Sequence, residues 1–308
     1  MKLGRKDYTI SVKTGTDANK SKFKKECVQG EIYHATDTGF FYIAEVTAGL
    51  NDATLSQFGA QAFANQYSAS FDGSDDYLTT DESNLATSGD CTISLWFNSA
   101  SLPGSGVFEY MFSLTDGQAT GKDRAIGIRG TGTDAQIVTN TYASGYLAPF
   151  TNTSISASTW YHVAVVFTSG SAQVYFNGAD KGSTSVATNT IIYTQTVIGS
   201  MLYTPGTRYF NGKIDEVSVF HSALSSTDIA LLLDTSGSTP VPANISSLNP
   251  KGWWRNGDGT GDTDSGGGAP TNTDSVGTVA NQGAVNTGSG EGNMTNPNGA
   301  TYSNSVPS

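Results

Sequence analysis

Apolar and polar positions along this chain recur mostly with a period of two, in short runs separated by turn-forming residues. Ile93, Leu95 and Phe97 point one way from an extended run while Ser94, Trp96 and Asn98 point the other. Tyr161, Val163, Val165 and Phe167 alternate in the same way with His162, Ala164, Val166 and Thr168. Both faces of these runs carry some apolar groups, so they are expected at the centre of a sheet. A second sheet would cover one side, and loops or neighbouring elements the other. Asn177-Gly178 between two such runs predicts a tight hairpin, because two-residue turns need φ > 0 at both central positions.

The stretch from Tyr209 to Leu233 carries three further local signals. Asn211-Gly212, flanked by apolar-rich runs, predicts a second two-residue hairpin turn. The run Lys213 to His221 reads as a strand, and Ser225-x-x-Asp228 is a capping-box pattern that opens a short helix. Leu224 and Ile229 can close as a hydrophobic staple, and Leu231 to Leu233 supply a face to lie on a sheet.

Elsewhere the pattern sets the domain boundaries. Gly30 to Glu45 predicts a hairpin about Thr36-Asp37-Thr38-Gly39, so residues 1–48 form an arm with a β-hairpin. Leu50 to Asn65 reads as a short amphipathic helix or a loop, Gly59 weighing against the helix, and 49–68 serve as a linker. Residues 69–234 form the all-β domain. After Asp234 comes a Pro-containing linker, then a Gly-, Asn- and Thr-rich extension to Ser308 that is poor in apolar residues apart from Trp253-Trp254. Composition predicts flexibility for this extension; packing on the main domain, as further edge strands, or on a neighbouring molecule are the alternatives.

Only 14% of the 308 residues are charged and 36 are glycine, which favours strands and turns over helices. The net charge of −11 excludes a nucleic-acid surface over the whole molecule. The charge is unevenly placed. Residues 1–25 hold eight basic side chains (Lys2, Arg5, Lys6, Lys13, Lys20, Lys22, Lys24, Lys25) against Asp7 and Asp17, so they carry +6 and the remainder −17. This arm is either a solvated tail or a docking segment for an acidic protein surface. No apolar run follows Met1 and none approaches bilayer-spanning length, so neither secretion nor membrane insertion is expected. Cys27 and Cys91 fit no disulfide framework or metal spacing; a reducing compartment accounts for them, with a single bridge between the two as the alternative.

The segments SASFDGSDDYLTT (Ser68 to Thr80), CTISLWFNSAS (Cys91 to Ser101), STWYHVAVVF (Ser158 to Phe167), AQVYFNGADKG (Ala172 to Gly182) and GKIDEVSVF before the short helix resemble, in the same order, those of laminin-G-like domains of the concanavalin A-like superfamily. The resemblance implies a two-sheet antiparallel jelly-roll sandwich that binds glycans or proteins. It also implies that Asp72 and Asp215 hold a structural calcium between the first and last strands, with Asp75 and Asp76 as helpers; local Asx turns and caps are the alternative use of these residues. Residues Gly30 to Glu45 are similar to a pattern near the N-termini of tailed-bacteriophage virion proteins, and the G-W-W-x-x-G-D-G piece resembles one beside laminin-G-like domains in phage proteins. These imply a location on the virion, as fibre, tail appendage or capsid decoration, with other capsid or tail proteins as partners of the arm.

Catalytic patterns are not evident. His34, His162 and His221 lie in no zinc-binding spacing, and His162 reads as a structural imidazole inside a core strand. Asp215 and Glu216, adjacent on a strand, are expected to face opposite sides and so cannot flank one glycosidic bond. The E-x-D-x-x-E spacing of the superfamily's glucanases is missing. Tyr142, Tyr146, Tyr203 and Tyr209, in loop-like stretches at the sandwich rims, are the candidate ligand-binding residues, while Trp253 and Trp254 suit packing. The function expected is a non-enzymatic virion protein that displays a lectin-like domain for decoration or for adhesion to host-surface glycans. A bacterial adhesin and a polysaccharide-degrading enzyme are the rivals. No coiled-coil heptads fix the copy number; a homo-oligomer is expected, with a trimer among the candidates.

Overall fold

In a computed structural model of the chain the structure describes residues 12–15, 32–35, 41–45, 54–57, 63, 65–81, 89–115, 123–141, 145–146, 150–185, 193–201, 208–283 and 293–307. Two compact units divide the chain, 1–64 and 65–308. Strands are numbered in order along the whole chain.

The first unit holds a four-stranded sheet in the order β1 (Val12–Gly15), β2 (Ile32–Ala35), β3 (Phe41–Glu45), β4 (Thr54–Gln57). β2 and β3 are the antiparallel arms of the expected hairpin, with Tyr33 opposite Tyr42; its turn lies outside the described residues. β1 pairs with β2 in parallel, and β4 turns part of the expected linker into a strand rather than a helix or loop. The β-branched Thr54 and the short length favour that outcome.

The second unit is a sandwich of two antiparallel sheets. One runs β15 (Ala179–Ser185), β14 (Ser171–Phe176), β13 (Trp160–Thr168), β7 (Cys91–Ser99), β17 (Asn211–Phe220), β5 (Ser68–Asp72), β24 (Thr301–Ser303), with β20 (Gly252–Trp254) also on β17. The other runs β11 (Gly145–Tyr146), β10 (Ala135–Thr141), β9 (Arg124–Gly130), β8 (Phe108–Thr115), β16 (Gln195–Ile198), β6 (Leu78–Thr80), β23 (Met294–Thr295), β22 (Val276–Val279), β21 (Thr263–Asp264), with β12 (Phe150–Ile155) also on β10. Ile93, Leu95, Phe97, Val163, Val165 and Phe167 line the core between the sheets, together with Phe112, Ile126 and Ile198 from the second sheet. The opposite face of β7 is buried as well, under residues 232–245, so the two-sided apolar pattern has its cause. A two-stranded ladder of β18 (Leu233–Asp234) and β19 (Val241–Pro242) belongs to this cover.

Several local expectations hold. Asn177 and Gly178 adopt φ of 49° and 76°, the paired positive values of a two-residue hairpin turn. The helix α1 (Ser226–Ala230) has both halves of the capping box, and Ile229 is buried. Of the face expected from Leu231 to Leu233, Leu232 and Leu233 are buried but Leu231 is exposed, because the chain leaves the helix at Leu231.

Asn211-Gly212 is not a turn. The pair opens β17, with Asn211 opposite Asp72 and Gly212 opposite Phe71 and Ser99. Glycine serves close approach here: a Cβ on Gly212 would lie 2.2 Å from the Asn98 carbonyl oxygen. The C-terminal extension contributes to both sheets: β20 extends along β17, β24 along β5, and β23 along β6. Trp254 and Tyr302 complete the core, and this burial orders a segment whose composition alone predicts flexibility. No helix among the described residues is long and apolar enough to cross a membrane.

Candidate functional site

Two clusters of carboxylates are built around the first and last strands of the family-like region. The first lies where the chain crosses between sheets twice, from β5 to β6 and from β23 to β24. There Ser70, Phe71, Asp72, Asp75, Asp76, Asn298, Gly299 and Thr301 line a cleft of about 340 Å³. Carboxylate oxygens of Asp72, Asp75 and Asp76 lie within 4.8 Å of one another. Asp72 Oδ1 accepts from the Ser74 N–H at 2.7 Å, an Asx turn, and Asp76 Oδ2 accepts from the Asp72 N–H at 3.0 Å. Asn298 Nδ2 donates to the Asp75 carbonyl at 2.9 Å, which ties the C-terminal segment to the cluster. Burial, then the charges of Asp72 and Asp75, raise Asp76 above the ordinary carboxylate range despite its backbone hydrogen bond. The lining is an oxygen-rich donor set, which suits a hard divalent cation or the hydroxyls of a sugar.

Asp215 does not join this cluster. It lies at a β-bulge in β17, where the register against β7 slips between Asp215 and Ser218. Asp215 is opposite Trp96 and Ser218 opposite Ser94, on the face away from the core, and Glu216 takes a positive φ of 47°. The extra residue defeats the simple alternation, so Asp215 and Glu216 are not separated onto opposite sides as expected: both are buried and interact. The Glu216 N–H donates to Asp215 Oδ1 at 2.8 Å. The bulge is also where the neighbour of β17 changes from β5 to β20.

The C-terminal extension closes over this second cluster. Trp253 Nε1 donates to Glu216 Oε2 at 2.6 Å, and Arg255 Nε donates to Oε1 at 2.9 Å. Asn256 Nδ2 donates to the Ile214 carbonyl at 2.9 Å. Burial raises Glu216 to about 7 against the opposing pull of Arg255 and Trp253. Burial, then the Glu216 charge, push Asp215 well above the usual carboxylate range. Asp262, whose Oδ2 accepts from the Gly257 and Gly259 N–H groups at 2.7 and 2.9 Å, is raised by burial to about 6. Glu216 fastens the extension to the last strand, and Asp262 braces the extension from within, whereas Asp215 Oδ2 is buried without a hydrogen-bond partner among the described residues.

Of the expected ligand-binding tyrosines, only Tyr209 has a described side chain. Tyr209 is partly buried just before β17. Tyr142 and Tyr203 lie outside the described residues, as does the side chain of Tyr146 in β11. His162 is fully buried with Nε2 2.8 Å from Ser94 Oγ, and burial lowers it to about 3, as befits a structural imidazole. Cys91 is a buried free thiol beside Arg124, whose NH1 donates to its Sγ at 2.8 Å; Cys27 lies outside the described residues. Asn298, Gly299 and Thr301 were not legible as part of a site, because nothing in their spacing links them to Asp72 some 220 residues earlier.

Comparison with known proteins agrees with this architecture. The family model of the concanavalin A-like lectin/glucanases superfamily matches residues 72–230, just over half of the chain. A search of curated protein sequences finds none that matches. Among solved structures, a candidate carbohydrate-binding protein from Bacteroides ovatus ATCC 8483 aligns at 17% identity and TM-score 0.56, over 90% of this chain and 70% of that one. A heptameric SAP-like pentraxin from Limulus polyphemus aligns at 17% identity and TM-score 0.44, over 55% of this chain and 82% of that one. Domains LG4-5 of the mouse laminin α1 chain align at 12% identity and TM-score 0.37, over 56% of this chain and 52% of that one. With the sheet order, the shared core and the family match in agreement, the chain belongs to the concanavalin A-like lectin/glucanases superfamily.

Proposed function

We propose that this chain is a glycan-binding, non-hydrolytic protein displayed on a bacteriophage particle, as fibre, tail appendage or capsid decoration. One observation carries the binding reading: a lectin-superfamily sandwich with an oxygen-lined cleft of about 340 Å³ at a crossing between its sheets. Hydroxyl, amide and carboxylate groups there offer the mixed donors and acceptors that vicinal sugar hydroxyls require. Asp72, Asp75 and Asp76 would hold calcium, which would neutralise three crowded charges. The display reading is supported by the separate N-terminal unit, by the +6 charge of residues 1–25, and by the similarity of Gly30 to Glu45 to virion proteins. Partner capsid or tail proteins would engage this unit, and self-association into a homo-oligomer would multiply weak sugar contacts.

Incubation with host envelope polysaccharide tests the binding half: the protein should sediment with the polysaccharide and release no reducing sugar. Release of reducing ends would replace this reading with a hydrolytic one. The display half predicts that particles lose the protein when residues 1–48 are deleted; retention on purified particles would refute it.

A further inference from the structure

The outer face of the second sheet carries a feature that the cleft does not explain. Phe108 in β8 pairs with Arg129 in β9, and the Arg129 guanidinium carbon lies 5.7 Å from the Phe108 ring centroid. From the segment before β17, the Arg208 guanidinium reaches the same ring, also at 5.7 Å, and that of Tyr110 at 5.7 Å. The position of Arg208 is fixed by its backbone, whose carbonyl accepts from the Tyr110 N–H at 3.1 Å. Two cations therefore converge on one aromatic ring in a protein whose net charge is −11.

Among the described residues neither arginine has a carboxylate partner. The ion pair among the described residues is Arg255 with Glu216, remote in sequence from both. Glu109, between Phe108 and Tyr110, turns away: its Oε2 accepts from the Asn211 N–H at 3.1 Å. Burial raises Glu109 to about 7, opposed by that hydrogen bond. Arg129 Nε is buried without a hydrogen-bond partner among the described residues, so none of them draws this guanidinium away from the Phe108 ring. Both arginines are partly exposed, so their remaining N–H groups are open to a ligand. Stacking on Phe108 and Tyr110 holds the planes in place, which lowers the ordering cost of binding. The built-in complement of two stacked, unpaired guanidiniums is an anionic group with planar or tetrahedral oxygens.

We propose that Arg129 and Arg208, stacked on Phe108, form a subsite for an acidic sugar, one bearing a carboxylate or sulfate. This rests on the glycan-binding reading and adds the charge class of the ligand. An uncharged sugar would leave the two cations as they are, whereas an acidic sugar supplies the acceptors they lack.

The test is calorimetric titration of the full chain with three probes: a galacturonate hexamer, a neutral hexasaccharide of equal length, and hexaglutamate. The galacturonate hexamer should bind at least about tenfold tighter than the neutral one, and Arg208→Gln should remove most of that difference, because it deletes the charge that a carboxylate would accept from. Lys181→Gln, which removes the same charge elsewhere, should leave the preference intact. Arg129→Gln is checked for an unchanged melting curve, and Arg208→Gln carries the test if it unfolds. Equal binding of acidic and neutral sugars, or equal loss in Lys181→Gln and Arg208→Gln, would overturn the subsite while leaving glycan binding in place. Hexaglutamate binding as tightly as the hexamer would overturn the sugar assignment. Binding of neither sugar would overturn the subsite together with the wider reading.

Discussion

Glu216 and Arg255, 39 residues apart, meet in an ion pair at 2.9 Å across the bulge of β17. The pair is mostly enclosed, and Trp253 supplies a second donor to the same carboxylate. Together they hold the C-terminal extension against the strand that ends the family-matched region. Removing one partner leaves the other charge uncompensated, a loss of about 3–5 kcal/mol for buried pairs. Arg255→Met should therefore destabilise the protein by roughly 3 kcal/mol. Urea denaturation should show that Glu216→Gln combined with Arg255→Met costs less than the two single changes summed.

Stability should depend on pH in an unusual direction. Burial raises Glu216 and Glu109 to about 7 and Asp262 to about 6, and pushes Asp215 well up, whereas unfolded carboxylates titrate near ~4. Between about pH 4 and pH 7 the folded state therefore binds more protons than the unfolded chain, and stability falls as pH rises through that window. His162, lowered by burial to about 3, acts in the opposite sense below about 6.5, and the lowered Asp134 and Asp234 act in that sense too. The raised carboxylates outnumber them, Asp76 and Asp258 being raised as well. Melting midpoints should be higher at pH 5 than at pH 7.5. Glu216→Gln should flatten the profile, and an unchanged slope in that variant would remove Glu216 as its source.

Gly212 should tolerate no side chain. A Cβ there would lie 2.2 Å from the Asn98 backbone oxygen and 2.9 Å from Ser99 Cα, so the β7 to β17 ladder must separate to admit it. Gly212→Ala should cost ~3 kcal/mol or more, in the range reserved for named steric or core defects. Gly237→Ala, whose added carbon would come no closer than 3.7 Å to the Thr239 carbonyl oxygen, is the comparison, and thermal unfolding of the two variants measures the difference.

Calcium should stabilise the chain through the cleft. With Asp72, Asp75 and Asp76 crowded together, chelator-treated protein should melt at a lower temperature than protein in millimolar calcium, and Asp75→Asn with Asp76→Asn should abolish the difference. Titration that detects no calcium, with identical melting in chelator, would dispose of the metal.

The parts legible in the sequence were those governed by local chemistry. The alternation around Leu95 and Val165, the Asn177-Gly178 turn and the Ser225 cap depend on neighbours within a few residues, so their spacing carries the information. Asn211-Gly212 misled because the same dipeptide serves a tight turn and a close backbone approach, and only the partner strand distinguishes them. The bulge at Glu216 was hidden for the same reason: alternation assumes one residue per pleat, and the slip is set by where β5 gives way to β20. The ordering of the extension depends on Trp254 and Tyr302 filling a core made elsewhere, which composition does not report. At the cleft, Asp72, Asp75 and Asp76 were visible as a run, whereas Asn298 and Thr301 reach it only through the fold.

The central claim is that this sandwich binds sugar, and a glycan array probed with the full chain tests it most directly. The account predicts retention on a restricted set of glycans, with loss of signal when Asp72 and Asn298 in the cleft are changed to alanine and the fold persists. An array with no glycan retained, from protein whose melting curve shows it folded, would contradict the account.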